Sequence, residues 1–266
     1  MDDTESRPTA LITGAASGIG AAFARLLAAE RYRLVLVDRE PVESSGGGES
    51  IRADLTEPGD LARIEERCRS GVDLLINNAG FGHPTRFLDT LIEAEVAMAR
   101  LHMEAVLRLT HAALPGMLER GSGGVVNTAS LLGFFPSSTY SASKSWVINF
   151  SQAIARAARP HGVTVMALCP GFTRTGFHDR ARMDMSKIPG PLWMNPDAVA
   201  AKALRDFCRR KSLSIPGWHN KLTAAVARTL PPTLTSRLLA TTDMREPARC
   251  SRGRDVGREP YDRRRG

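Results

Sequence analysis

The stretch 9–38, "TALITGAASGIGAAFARLLAAERYRLVLVD", decides the fold. It opens on a short apolar, β-like run at 9–13 and closes on another at 33–38. Between them Ile19, Phe23, Leu26 and Leu27 recur at helical spacing, so the unit reads strand, helix, strand. Strands that are apolar throughout and joined through helices pair in parallel, with both faces of their sheet covered. The turn from the first strand into the helix is "TGAASGIG" (13–20). Gly14 suits a tight turn, Gly18 lets the backbone approach a pyrophosphate, and Gly20 lets the helix pack closely on the strand. Ser17 and Ile19 stand at the amino end of that helix, where unpaired N–H groups and the helix dipole favour phosphate.

The same alternation continues outward. Further buried runs lie at 72–80, 123–130 and 163–171, each after a helix-like segment. Residues 41–50, "PVESSGGGES", read as a flexible loop with little power to form a helix. The expectation is a single doubly wound α/β domain with strand order 3-2-1-4-5-6. A seventh strand is expected near 212–217, and long helices over 88–118 and 138–158. Beyond 217 the pattern predicts two short amphipathic helices broken by Pro231-Pro232.

Composition narrows the class. A chain of 266 residues, 42% hydrophobic and 24% charged, has the balance of a soluble globular domain. The start is acidic and polar, so a cytoplasmic protein without a signal peptide is expected. Cys68, Cys169, Cys208 and Cys250 make no metal spacing and read as reduced thiols. The net charge is +8, but the tail 245–266 holds eight arginines against four acids. That tail has almost no apolar residues and reads as a disordered, solvated segment capable of weak contact with an anionic membrane, not as a specific nucleic-acid site.

Asp38 ends the second strand, about twenty residues beyond the glycine turn, where an acid accepts hydrogen bonds from adenosine ribose hydroxyls. Its carboxylate repels a 2′-phosphate, whereas Arg39, next in the chain, would pair with one. The acid at the ribose position favours NAD over NADP.

"SLLGFFPSSTYSASK" (130–144) carries the reactive groups. Tyr140 and Lys144 are four apart and share a helix face. A cation beside a phenol, whose ordinary pKa is about 10, stabilises the phenolate and lowers that pKa.

Five motifs in order resemble the short-chain dehydrogenase/reductase family: TGxxxGxG at Thr13–Gly20, the pair Asp54-Leu55, NNAG at Asn77–Gly80, YxxxK at Tyr140–Lys144, and Pro170-Gly171. The resemblance covers about residues 8–217 and implies a Rossmann-type oxidoreductase of carbonyls and secondary alcohols. By its lights Tyr140 passes the proton, Lys144 tunes Tyr140 and binds the nicotinamide ribose, and Ser130 holds the substrate oxygen. It also implies an NAD(P) site in which Asp54 and Leu55 flank the adenine, with Asn78, Ala79, Gly80, Pro170 and Gly171 beside the dinucleotide. Thr175 fits the threonine that bonds the carboxamide, with Thr173 second. Residues 176–195 correspond to the substrate lid, and their Met183, Met185, Trp193 and Met194 favour a lipophilic substrate. The long helices imply a homodimer or homotetramer.

Two departures stand out. Ser130 and Tyr140 are ten residues apart, a shorter separation than the family usually shows, so a substrate-facing loop is reduced. Ser137 and Ser138, within it, suit helix capping. His102 stands where the family commonly has asparagine, and is expected to join the proton relay from Lys144 to water and make it pH-sensitive. The alternatives to an active enzyme are a nearly inactive dinucleotide-binding protein, or a membrane or nucleic-acid adaptor working through the tail.

Overall fold

The computed structural model describes residues 7–43, 48–83, 87–181, 183–186 and 188–230. The expected basic tail and the second helix after Pro231-Pro232 lie outside the described residues, as does Cys250.

Seven parallel strands form one sheet: β1 (Thr9–Thr13), β2 (Arg33–Asp38), β3 (Glu49–Arg52), β4 (Leu74–Asn77), β5 (Gly124–Thr128), β6 (Thr164–Leu168) and β7 (Leu213–Ser214). Their order is β3-β2-β1-β4-β5-β6-β7, as the strand–helix alternation requires. The register is set along β1, with Leu11 opposite Val35 on one side and Leu75 on the other. Alternate residues of each strand serve opposite faces. Leu11, Val35, Leu75 and Val125 pack under α2 (Pro58–Arg69), α4 (Val106–Arg120) and α5 (Thr139–Ala158). Ile12, Leu36, Ile76 and Val126 pack against α1 (Gly18–Ala29) and α7 (Pro196–Cys208) through Phe23, Leu27, Val199 and Ala203.

Two elements depart from the sequence reading. β3 begins inside the segment read as loop, because its "ESIR" is a polar edge strand with only alternate residues half-buried. The helix expected over 88–118 begins at Ile92 and runs as α3 (Ile92–Ala99), a π-helical turn (Arg100–Ala105) and then α4. The wider turn holds one residue more than an α-turn and re-aims the side chains within it. His102 is one of them. Past β6 come α6 (Phe177–Arg180), a single turn in the lid segment, and α8 (Trp218–Thr229), the first of the two helices expected beyond 217.

Candidate active site

All the candidate groups lie at the carboxyl ends of the strands, where an open parallel sheet leaves its crevice. Gly14 follows β1, Asp38 ends β2, Asn78 follows β4, Ser130 follows β5 and Pro170 follows β6.

The glycine turn is closed against its neighbours. Gly18 has φ +57°, and a Cβ there would lie 2.9 Å from Thr175 Cγ2. A Cβ on Gly20 would run into the Gly14 carbonyl oxygen. Asn78 Nδ2 donates to the carbonyls of Thr13 (3.1 Å) and Gly14 (3.2 Å). Thr13 Oγ1 accepts from the N–H of Asn78 (2.9 Å) and of Ala79 (3.1 Å). Asn78 therefore ties two loops together through its side chain. Thr13, which the sequence reading did not single out, is the other half of that tie.

Asp38 is fixed on both carboxylate oxygens, by Ala16 N–H at 2.9 Å and Glu40 N–H at 3.0 Å. Arg39 is exposed, with its Nε 3.8 Å from Glu40 Oε1. Asp54 Oδ1 accepts from Thr56 N–H (2.9 Å) and Thr56 Oγ1 (2.7 Å), while the Leu55 side chain belongs to the core. Thr175 faces the glycine turn. Thr173 is buried and its hydroxyl donates to Gly171 O at 3.0 Å. The Pro170 carbonyl accepts from Leu131 N–H (2.8 Å), and Gly171 packs on Asn220, since a Cβ there would lie 2.5 Å from its amide nitrogen. The turn, its tightly approached helix end and the absence of an acid from the first turn of α1 fit the phosphates of a dinucleotide.

Ser138 caps α5 in a capping box: its Oγ accepts from Ser141 N–H (3.1 Å), and Ser141 Oγ accepts from Ser138 N–H (2.9 Å). This fixes the first turn, which carries Tyr140. The Ser130 hydroxyl, ten residues earlier, stands near enough to the phenol to favour its ionised form, so the short loop does not separate the pair. Lys144 is buried one turn on. Its Nζ donates to Thr128 O at 3.0 Å and stands 5.7 Å from the Tyr140 ring centroid.

Burial lowers the Lys144 ammonium to about 8. Burial also pushes the Tyr140 phenol up to about 12, against the opposing hydrogen bond from Ser130. The expected lowering of the phenol by its lysine is thus reversed. The ammonium turns toward Thr128 O and the apolar walls dominate.

His102 is fully buried. Its Nε2 accepts from Phe81 N–H at 3.3 Å, so the ring proton is on Nδ1, 2.9 Å from Ser143 Oγ. That hydroxyl donates onward to Tyr140 O at 2.8 Å. Both ring nitrogens are engaged in the neutral state. Burial, then Lys144 and His83, lower its pKa well below the ordinary 6.5. The sequence reading of a histidine titrating near neutrality is corrected by that enclosure. Gly80 marks how close these groups lie: a Cβ there would be 3.0 Å from His102 Nε2 and 3.5 Å from Lys144 Nζ. Ser143, flanking Lys144 in the motif, escaped the sequence reading because its partner becomes visible only when the π-turn faces α5.

Apolar rings surround the phenol. Phe177 of the lid lies 5.9 Å from Tyr140, centroid to centroid, and His102 lies 5.5 Å away on another side. Phe177 and Met183 both approach Gly82, at 3.4 Å from a Cβ there. Trp193 and Phe172 enclose His178 farther along.

Residues 8–186 match the family model described as short chain dehydrogenase. D-beta-hydroxybutyrate dehydrogenase of Cupriavidus necator is 32% identical over 183 residues, 63% of this chain and 71% of that protein. A short-chain dehydrogenase from Sphingobium yanoikuyae, solved in complex with NADPH, superposes with a TM-score of 0.76 at 34% identity, covering 93% of this chain and 100% of that one. The bulky-bulky ketone specific alcohol dehydrogenase from Comamonas testosteroni superposes with a TM-score of 0.71 at 31% identity, over 84% and 95% of the two chains. With the parallel sheet and five motifs in order, the match places the chain in the short-chain dehydrogenase family of oxidoreductases.

Proposed function

We propose that the protein interconverts a carbonyl and a secondary alcohol with NAD(P), using Ser130, Tyr140 and Lys144. The observation that carries this is the Lys144 ammonium, buried one turn from Tyr140 with its Nζ 5.7 Å from the phenol ring centroid and anchored on Thr128 O, while the Ser130 hydroxyl stands beside the phenol. The nicotinamide supplies or accepts the hydride. Ser130 and the Tyr140 hydroxyl hold the substrate oxygen between them. A phenol raised to about 12 keeps its proton at neutral pH, which suits it to donate that proton as the carbonyl is reduced. Lys144 offers a positive charge beside the oxygen that gains negative charge. Gly14, Gly18, Ile19, Gly20, Asp38 and Thr175 would hold the dinucleotide.

NAD is favoured over NADP because both Asp38 oxygens are fixed by backbone N–H groups at the end of β2, while Arg39 is drawn toward Glu40. Phe177 beside the phenol, with Phe81 against His102 and Met183 near Gly82, favours a lipophilic, bulky substrate. Exposed Ile92, Val96 and Leu107 on α3 and α4 support assembly into a dimer or tetramer.

A panel of ketones, aldehydes and alcohols, read as NADH and NADPH absorbance, tests the activity. Tyr140→Phe is expected to remove nearly all turnover, of order a hundredfold or more, with dinucleotide affinity near wild type. Normal turnover by Tyr140→Phe would remove Tyr140 from the reaction. Tighter binding of NADPH than NADH by the unmutated protein would show that Arg39 overrides Asp38.

A further inference from the structure

Arg180, at the end of the lid turn α6, reaches across 163 residues of sequence to donate from its guanidinium to Ser17 Oγ at 3.2 Å. Ser17 is the N-cap of α1, yet its side chain makes no capping bond. An exposed cation thus stands at the end of a helix that already carries a partial positive charge. Like signs at a helix amino end are unfavourable unless an anion joins them. No carboxylate supplies that anion: the first turn of α1 holds no acid, and among the described residues Arg180 makes no ion pair. The lid is also seated on the glycine turn next to this contact, through Thr175 against Gly18.

We infer that Arg180 is a pyrophosphate-binding residue that couples dinucleotide binding to closure of the lid. This rests on the dinucleotide reading of the glycine turn. A guanidinium presents several N–H donors in a planar fork, and a pyrophosphate offers matching oxygens where a serine hydroxyl offers one acceptor. Exchange of Ser17 for phosphate oxygens would fasten α6 in the seat it already takes over the crevice. Phe177, three residues before Arg180 on the same turn, would then be held against Tyr140. The charge on the cofactor would thereby shape the substrate wall.

The test is dinucleotide binding and lid protection, both read without turnover. NADH fluorescence titration gives affinity, with ADP-ribose and adenosine as competitors. Chymotrypsin cleavage in residues 172–193, with and without ADP-ribose, reads closure. Arg180→Ala is expected to weaken NADH and ADP-ribose about tenfold, to leave adenosine competition unchanged, and to abolish the protection given by ADP-ribose. Arg180→Lys should recover part of the affinity, as a charge without the fork. Wild-type affinity for ADP-ribose in Arg180→Ala would overturn the inference, leaving Arg180 as a latch to Ser17. An equal loss for adenosine would overturn it too, by showing a general disturbance of the site. If the unmutated protein bound neither NADH nor NADPH, the dinucleotide reading itself would fall, a result distinct from either. Melting curves without ligand verify that the exposed substitutions leave the fold intact.

Discussion

At the scale of the residue, His102 and Lys144 show how enclosure overrides intrinsic chemistry. The neutral imidazole accepts from Phe81 and donates to Ser143, so a second ring proton would break the Phe81 bond. His102→Asn is therefore expected to leave the shape of the kcat–pH profile unchanged between about pH 6 and 8. Stability should respond instead. A folded-state pKa well below 6.5 means the unfolded chain binds the extra proton first, so wild-type stability falls as pH drops below 6.5. Thermal melts at pH 5 and 7 should show that acid loss diminished in His102→Asn; an ionisation missing from its rate profile would restore the relay. For Lys144 the sign follows from its lowering to about 8. Below that pH the amine is charged in both states and burial is penalised, and the penalty disappears as pH rises from 8 toward 10.5. Lys144→Met should gain stability relative to wild type at pH 7 by on the order of 3 kcal/mol more than at pH 10.5. Denaturant titrations at the two pH values measure it. Residue types and spacing were enough to mark Tyr140 and Lys144 in the sequence, whereas His102 was marked only by the family resemblance. Their protonation was not legible, because it depends on walls contributed by Phe81, Thr128 and Phe177 from separate elements.

At the scale of the element, the strands that were apolar throughout declared themselves and the polar edge did not. β1, β2, β4, β5 and β6 are mostly buried runs of four to six residues, whereas β3 has alternate residues exposed; β7, only two residues long, lies within the 212–217 stretch where a seventh strand was expected. The π-turn was also hidden, since periodicity averages over an inserted residue. Its effect is local and large: it sets His102 on the α5 side of its helix, facing Ser143. The capping of α5, by contrast, was readable from the serine pair Ser137 and Ser138, of which Ser138 is the cap. Tyr140 lies two residues after that cap, so loss of the cap loosens the turn that aims the phenol. Ser138→Ala is expected to cost about 1 kcal/mol of stability and to reduce kcat more than cofactor affinity. Denaturant unfolding with steady-state kinetics checks both, and an unchanged kcat would show that Tyr140 is held by Ser130 and packing alone.

At the scale of the whole molecule, two cores on opposite faces of one sheet make the α/β class legible from the alternation of strands and helices. No described helix is long and apolar enough to cross a membrane. Quaternary structure is a surface property, and a single sequence carries it weakly. Leu107, 45% exposed on α4, and Val96, 40% exposed on α3, are the places to probe it. Light scattering of the purified protein should report a dimer or tetramer, and Leu107→Glu should shift it toward monomer. A monomeric wild type would show that these side chains meet solvent.

The central position of β1 has a consequence for how the chain is made. β1 precedes all its neighbours in sequence yet lies between β2 and β4. During synthesis its β2 side can be matched early, but the side that receives Leu74–Ile76 stays an open edge until β4 emerges. Until then a nascent chain exposes an unpaired strand with an apolar centre at 10–12, the kind of edge that recruits other chains. The strand order thus predicts an exposed edge during translation that the mature sheet no longer has. Shielding of the first seventy or so residues by a chaperone is therefore expected to raise the yield of this protein, which co-expression measures.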